Sequence, residues 1–109
     1  MQHTQYISTR GQMAPAGFMG VLLAGLAPDG GLAVPERLPA LTPEQLETWR
    51  SLNYAELATE VIGLFATDIP RKDLAVLTRA AYGESRFPQP VVPVTGLDDV
   101  ADGLVLVGL

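Results

Sequence analysis

The residues with the greatest potential for chemistry lie near the amino end, where Ser8, Thr9 and Arg10 are consecutive and Gly11 follows. Two hydroxyls beside a guanidinium could bind a phosphate or a carboxylate, because the planar fork of arginine donates two parallel hydrogen bonds to such groups. The alternative is that Arg10 forms an ion pair or a backbone anchor at the end of the first strand. The pattern favours the anchor, and Ser8, Thr9 and Arg10 stand as the candidate substrate or anion residues.

The rest of the sequence lacks the groups of a catalytic or metal centre. His3, the single histidine, lies in a terminus expected to fray, which excludes a Ser-His-Asp triad or a two-histidine metal site, and there is no cysteine. Lys72, the only lysine, lies in an exposed first helical turn, where nothing would keep it neutral for imine formation. Glu56 and Glu60 are one turn apart on a polar helix face, which is typical of a solvated surface. We therefore expect no catalytic, cofactor-binding or metal-binding residue.

Overall charge excludes a nucleic-acid partner. The chain has 12 acidic and 7 basic side chains and a net charge of -5, whereas a protein that binds the phosphate backbone needs a basic face. Its 109 residues fit one small domain with one core. The apolar stretch 13–27 is broken by one proline and three glycines and follows a single arginine, so it is a poor secretory signal and too interrupted to span a bilayer. We expect a cytoplasmic protein without a membrane contact.

Charge is also unevenly distributed along the chain. Residues 11–35 contain one ionised side chain, Asp29, and residues 87–109 contain three aspartates and no other charge. An isolated small domain usually has charged residues of both signs at about a quarter to a third of its surface positions. The two charge-poor arms, 11–35 and 87–109, therefore form either the domain's own core or surface that something else covers.

Two capping signals divide the middle of the chain into separate helices. Thr42 precedes Pro43, with Gln45 placed to complete a capping box, and the same pattern recurs with Asn53 and Glu56. We expect two helices between residues 43 and 67. The second has an apolar stripe predicted to face the core, opposite a face with Glu56, Thr59, Glu60 and Gly63; the stripe comprises Tyr54, Leu57, Ala58, Val61, Ile62 and Phe65.

Flanking segments predict two more helices and four short strands. A helix from Phe18 is expected to run to the turn at 28–31, and another runs from Pro70 to Gly83. Strands are expected near 5–9, 32–34, 91–95 and 104–107. The last of these is apolar on both faces, so it needs cover on both.

Four segments taken together resemble a known family: YISTRG at 6–11, LLAGLAPDGGLAVPE at 22–36, WRSLNYAELATEVIGLF at 49–65 and VVPV at 91–94. Their order and spacing are similar to the amino-terminal domain of threonine synthase over nearly the whole chain. The first two segments are specific, whereas the helical middle is shared by many domains. The resemblance implies a mostly helical α+β fold with a few short strands, and residues 1–109 as a single domain.

Threonine synthases use pyridoxal phosphate to convert O-phosphohomoserine to threonine and phosphate. In the family, the final strand leads into LFHGPT and then Phe-Lys-Asp, whose lysine forms the imine with the cofactor. Residues 107–109 end this chain without that lysine. The resemblance thus implies that pyridoxal phosphate belongs to the full enzyme, that the cofactor-binding domains are absent here, and that this chain alone is inactive.

Two functions remain open at this point. The first is an accessory domain that docks on the pyridoxal-phosphate domains of the same enzyme and shields its active site. The alternative is a free-standing, non-catalytic interaction module that self-associates through its apolar arms. Reading the gene past Leu109 would separate them, because a frame that continues into HGPT and FKD supports the first and a stop codon supports the second.

Overall fold

The computed structural model describes residues 3–87 and 90–108. Within this part of the chain, four α-helices predominate over four three-residue strands, which confirms the expected α+β class. The elements are β1 (Tyr6–Ser8), α1 (Phe18–Ala24), β2 (Ala33–Pro35), α2 (Pro43–Trp49), α3 (Tyr54–Phe65), α4 (Arg71–Tyr82), a 3-10 turn (Glu84–Arg86), β3 (Val94–Gly96) and β4 (Val105–Val107).

The first sheet is an antiparallel pair of β1 and β2, and the other edge of β1 bonds to the chain at Ala16. β1 pairs with β2 so that Tyr6 is opposite Pro35, close to the expected strands at 5–9 and 32–34. On its other edge, Tyr6 exchanges two backbone hydrogen bonds with Ala16, at N···O distances of 2.8 and 3.1 Å. Two separate segments of the amino-terminal half, β2 and the segment at Ala16, are therefore tied to β1.

Both predicted capping boxes are present. Thr42 Oγ1 accepts from the Gln45 N–H at 3.1 Å, and Gln45 Oε1 accepts from the Thr42 N–H at 2.9 Å. Asn53 and Glu56 make the same reciprocal pair, with both distances 2.9 Å. Because each box satisfies backbone donors that no helix can satisfy internally, the chain begins a new helix at each of them.

Helix α1 ends earlier than the sequence predicted. Its last residue is Ala24, because Gly25 adopts a φ of +80° and donates its N–H to the Val21 carbonyl. This left-handed conformation is readily open to glycine alone, so the chain leaves the helix before the expected stop at 28–31. Leu26 consequently lies outside the helix and is exposed.

The predicted orientation of α3 is met only in part, since the rest of the predicted apolar stripe is half-buried rather than buried. Its one buried residue is Thr59, from the face expected to meet solvent, whereas Tyr54 and Val61 of the apolar stripe are 36% and 40% exposed. Helix α4 approaches this face closely at Thr59 and Gly63, where the side chains are small; a Cβ built on Gly63 would lie 3.6 Å from Leu74 Cδ2. The apolar stripe is therefore left partly uncovered.

A hydroxyl pair lies between α3 and α4. The Oγ1 atoms of Thr59 and Thr78 are 2.6 Å apart, and both residues are buried. Thr59 Oγ1 is also 3.0 Å from the Ala55 carbonyl oxygen and Thr78 Oγ1 is 3.1 Å from that of Ala75. Each hydroxyl thus has partners on both helices, as buried polar groups require.

The second sheet is the hairpin of β3 and β4, with Val94 opposite Val107. Both strands were expected, but β3 starts at residue 94 rather than 91, because Pro93 has no N–H for a sheet and its carbonyl accepts from the Gly108 N–H at 2.8 Å. All six strand residues are exposed. An isolated two-stranded hairpin is only marginally stable in water.

The single-domain organisation of residues 1–109 stays a prediction.

The molecule has a small core and an unusually large surface. Among the described residues, the buried apolar side chains are those of Tyr6, Ala27, Ala66 and Leu74. The accessible surface is 8179 Å², whereas a folded monomer of 11.6 kDa exposes about 5,800 Å². The Cα radius of gyration is 17.2 Å, against about 13 Å for a compact domain of this length. About 2,300 Å² of surface is therefore exposed in excess of the usual amount.

Candidate functional site

The structure brings the three candidate anion residues to one end of β1. Ser8 is buried, and its Oγ donates to Asp29 Oδ1 at 2.6 Å while accepting from the Arg10 N–H at 3.0 Å. Thr9 Oγ1 accepts from the Leu32 N–H at 3.0 Å. Both hydroxyls therefore make hydrogen bonds within the chain.

The Arg10 guanidinium is exposed, and its Nη1 donates to the backbone carbonyl of Asp29 at 3.0 Å. This is the geometry of a backbone anchor between β1 and the turn at 28–31. The binding of an external anion by Ser8, Thr9 and Arg10 stays a prediction.

Asp29 is the residue that the sequence reasoning missed. Its Oδ1 accepts from the Gly31 N–H at 2.9 Å as well as from Ser8, and its Oδ2 accepts from the Gln12 N–H at 2.9 Å. The Ser8 hydroxyl, then the backbone N–H groups and the nearby Arg10 charge, lower the pKa of Asp29 below its ordinary value. Its isolation as the one charge in residues 11–35 was the available signal. We call Ser8, Arg10, Gln12, Asp29 and Gly31 the Asp29 cluster.

The other titratable candidates have structural partners. Glu56 caps α3, and Glu60 forms an ion pair with Arg71, so these two carboxylates do not act as a couple. His3 Nδ1 lies 2.9 Å from the Thr67 carbonyl oxygen, so the start of the described chain is held against the end of α3 rather than frayed. Residues 3–87 and 90–108 contain no group of three His, Cys, Asp or Glu side chains able to hold a metal ion.

The residues of this chain do not fit pyridoxal phosphate. Lys72 is exposed in the first turn of α4, between Arg71 and Asp73, which are also exposed. A lysine that forms an imine needs a site that favours its neutral amine and excludes water, and no such enclosure surrounds Lys72. That this chain holds no part of the cofactor stays a prediction. Separately, none of the helices in the described residues is long and apolar enough to cross a membrane.

The most distinctive surface lies around α1. We call it the α1 patch, and its leucines are 59–83% exposed. They lie in the charge-poor arm 11–35, whose one charged side chain, Asp29, is engaged in its cluster. Large exposed apolar areas on soluble proteins commonly mark a surface that contacts a partner. The patch comprises Leu22, Leu23, Leu26 and Leu32.

An open groove runs between α3 and α4 and is lined by residues of both helices. Its lining includes Tyr54 and Tyr82, whose rings form a cluster with that of Phe87, with centroids 5.6–6.0 Å apart. The groove also contains Glu56, Glu60 and two arginines. Its charged rim distinguishes it from the α1 patch, which is uniformly apolar.

Comparison with known proteins identifies the family. Residues 5–82 match the family model described as threonine synthase N terminus, which is well over half of the chain. The chain belongs to the threonine synthase N-terminal family. The match includes the Asp29 cluster, the α1 patch and helices α1 to α4.

Known threonine synthases are similar to this chain over a limited part of their own length. Threonine synthase of Corynebacterium glutamicum is 48% identical over 100 residues, which cover 86% of this chain and 21% of the relative. Threonine synthase-like 2 of Xenopus laevis is 42% identical over 95 residues, which cover 85% and 20%. The chain thus spans about a fifth of the length of these relatives.

A solved structure gives the same correspondence in three dimensions. The crystal structure of pyridoxal-phosphate-bound threonine synthase from Brucella melitensis superposes with a TM-score of 0.78 at 35% identity. The superposition covers 95% of this chain and 22% of that chain. The threonine synthase resemblance of the sequence is therefore confirmed in both sequence and fold.

Proposed function

We propose that this chain is the docking domain of a threonine synthase. It packs against the part of the enzyme that binds pyridoxal phosphate and converts O-phosphohomoserine to threonine and phosphate, and it covers that part's surface. The observation that carries the proposal is the excess exposed surface of about 2,300 Å². Much of this excess is apolar, as the exposed leucines of the α1 patch and the exposed valines of the hairpin illustrate.

The size of this excess fits a permanent interface. A standard protein–protein interface buries about 800 Å² on each partner, and obligate interfaces run above about 2,000 Å² in total. Covering about 2,300 Å² on this chain alone would place the contact in the obligate class. Obligate interfaces are also the most apolar and the poorest in charge at their centres, which matches the two charge-poor arms.

The chemistry of such an enzyme resides outside this chain. When bound, pyridoxal phosphate supplies the electron sink for the elimination of phosphate and the addition of water. The residues of this chain would exclude bulk water and hold the surrounding surface in place. We therefore expect the isolated chain to be inactive, and we expect the enzyme to be cytoplasmic.

A chimeric enzyme tests the proposal. The segment of Corynebacterium glutamicum threonine synthase that matches this chain is replaced by residues 1–109, and phosphate release from O-phosphohomoserine is measured. The two segments are 48% identical over 100 residues, so we expect the chimera to retain activity within about tenfold of the parent. A tenfold loss corresponds to an increase of about 1.4 kcal/mol in the activation free energy. The isolated chain and the relative without its matching segment are the controls. A stable but inactive chimera, or turnover by the isolated chain, would contradict the proposal.

The hairpin supports a second candidate, a self-associating interaction module. β3 and β4 are exposed along both outer edges, and unpaired strand edges are templates for pairing with another chain. Light scattering on size-exclusion fractions over a hundredfold concentration range would reveal a defined dimer. A monomer at all concentrations, together with an active chimera, would remove this candidate.

A further inference from the structure

A small apolar depression lies beside α1. Its volume is about 230 Å³, and its lining contains no charged side chain and no polar one. Its lining includes Ala16 from the segment before α1, Gly20 and Ala24 of α1, and Leu26, which is 62% exposed. The absence of a side chain on Gly20 leaves it open, because a Cβ there would contact only the Ala16 Cβ, at 3.9 Å.

The chemistry of the depression indicates an apolar side chain rather than a metabolite. Small-molecule pockets commonly measure about 300–1,000 Å³ and include polar groups that fix the orientation of the ligand. This depression is smaller and lacks such side chains. Interfaces, in contrast, concentrate their binding energy where one large apolar side chain enters a dry pocket on the partner.

The walls of the depression are held by hydrogen bonds independent of any partner. Ala16 is bonded to Tyr6 of β1, and the Met19 N–H donates to Asp68 Oδ2 at 3.0 Å, which fixes the start of α1. At the other end, the Ala27 N–H donates to the Gly31 carbonyl at 3.0 Å. A pre-formed pocket loses little conformational entropy on binding, which favours affinity.

We propose that this depression receives one large apolar side chain from the remainder of threonine synthase and is the anchor of the docking interface. This inference rests on the proposed function and specifies the contact. The remainder is the favoured occupant because about four-fifths of the relatives' length lies outside the matched segment, and because the excess surface of about 2,300 Å² exceeds the share of a standard dimer contact. A second copy of this chain is the competing occupant.

Thiol labelling of the chimera tests the anchor without relying on activity. This chain has no cysteine, so Ala24→Cys introduces one thiol in the depression and Ser51→Cys introduces one in the exposed, charged segment between α2 and α3. Labelling rates are read for each peptide by mass spectrometry. We expect the Ala24→Cys thiol to be labelled at least ten times more slowly than the Ser51→Cys thiol.

A filling substitution provides a second, matched measurement. Gly20→Leu should occupy the depression from within and restore fast labelling of the Ala24→Cys thiol, while Gly20→Ala, which adds only a Cβ in ordinary contact, should leave it protected. Both changes raise helix propensity, so neither is expected to unfold α1.

The outcomes separate the two proposals. Equal labelling rates in an active chimera would overturn the anchor and leave the docking domain standing, and equal rates in an inactive chimera would overturn both. Protection in an inactive chimera would support the anchor and contradict the enzymatic role. Protection that increases with chimera concentration would assign the depression to a second copy and overturn the inference.

Discussion

The Asp29 carboxylate shows what one residue does for the amino-terminal half of this chain. It accepts hydrogen bonds from Ser8, Gln12 and Gly31, which belong to β1, the segment after it and the turn before β2. The sequence placed Ser8, Thr9 and Arg10 correctly at a strand end. It did not reveal the acceptor, because Asp29 lies about twenty residues away and hydrogen-bond partners at that separation depend on the fold.

The lowered pKa of Asp29 predicts acid sensitivity. Because the pKa in the folded chain lies below the ordinary 3.8, the ionised form contributes stability that is present above 3.8 and is lost as the pH falls through the folded value. Asp29→Asn should lower the melting temperature at pH 7 and flatten its decline below pH 4, as followed by circular dichroism. Ser8→Ala, which removes the largest cause of the shift, should raise the pKa of Asp29, as measured by carboxyl carbon NMR.

Asp102→Asn is the matched control for this experiment. It makes the same chemical change at an exposed turn position of the hairpin, remote in the sequence from the cluster. An Asp29→Asn variant with the pH dependence of the parent would show that the carboxylate charge contributes nothing to the fold.

Individual helices differ in how much of the fold depends on them. α3 packs against α4 through the Thr59–Thr78 pair, whereas α2 has no buried residue. The two capping boxes were predictable because a cap is local chemistry within four residues. The face that α3 buries was not, because a neighbour of suitable shape, rather than the apolar stripe, determines it.

This difference leads to a prediction for the two caps. Asn53→Ala should lower the free energy of unfolding by about 1 kcal/mol, because α3 belongs to the main packed pair. Thr42→Ala removes an equivalent cap from α2 but should change global stability by less than about 0.5 kcal/mol, since α2 can unfold locally. Urea denaturation measures both values, and amide hydrogen exchange should show faster opening of α2 in Thr42→Ala. Equal losses would show that α2 is part of the cooperative unit.

At the scale of the whole molecule, the sequence anticipated uncovered apolar surface in the two charge-poor arms but not on α3. The charge-poor arms suggested either a core or a covered interface, and the fold exposes many of their apolar residues. The exposed stripe of α3 was unexpected, because it lies in the charged middle of the chain, where alternating polar residues indicated a conventional amphipathic helix.

Small-angle X-ray scattering of the isolated chain tests the extended shape. At low concentration we expect a radius of gyration near the 17.2 Å of the Cα atoms, with a modest addition from hydration, rather than the about 13 Å of a compact domain. Guinier analysis over a dilution series excludes a contribution from association. A value near 13 Å would mean that the arms fold back on the helices in solution.

The hydroxyl pair between α3 and α4 also limits how these helices can move. Sliding either helix by one turn, about 5.4 Å, would separate Thr59 from Thr78 and break the hydrogen bond between their hydroxyls, which is worth about 0.5–1.5 kcal/mol. This hydrogen bond therefore opposes the sliding of α3 along α4. A protein surface that docks on the apolar stripe of α3 therefore contacts two helices held in one register, and its own shape has to adapt to them.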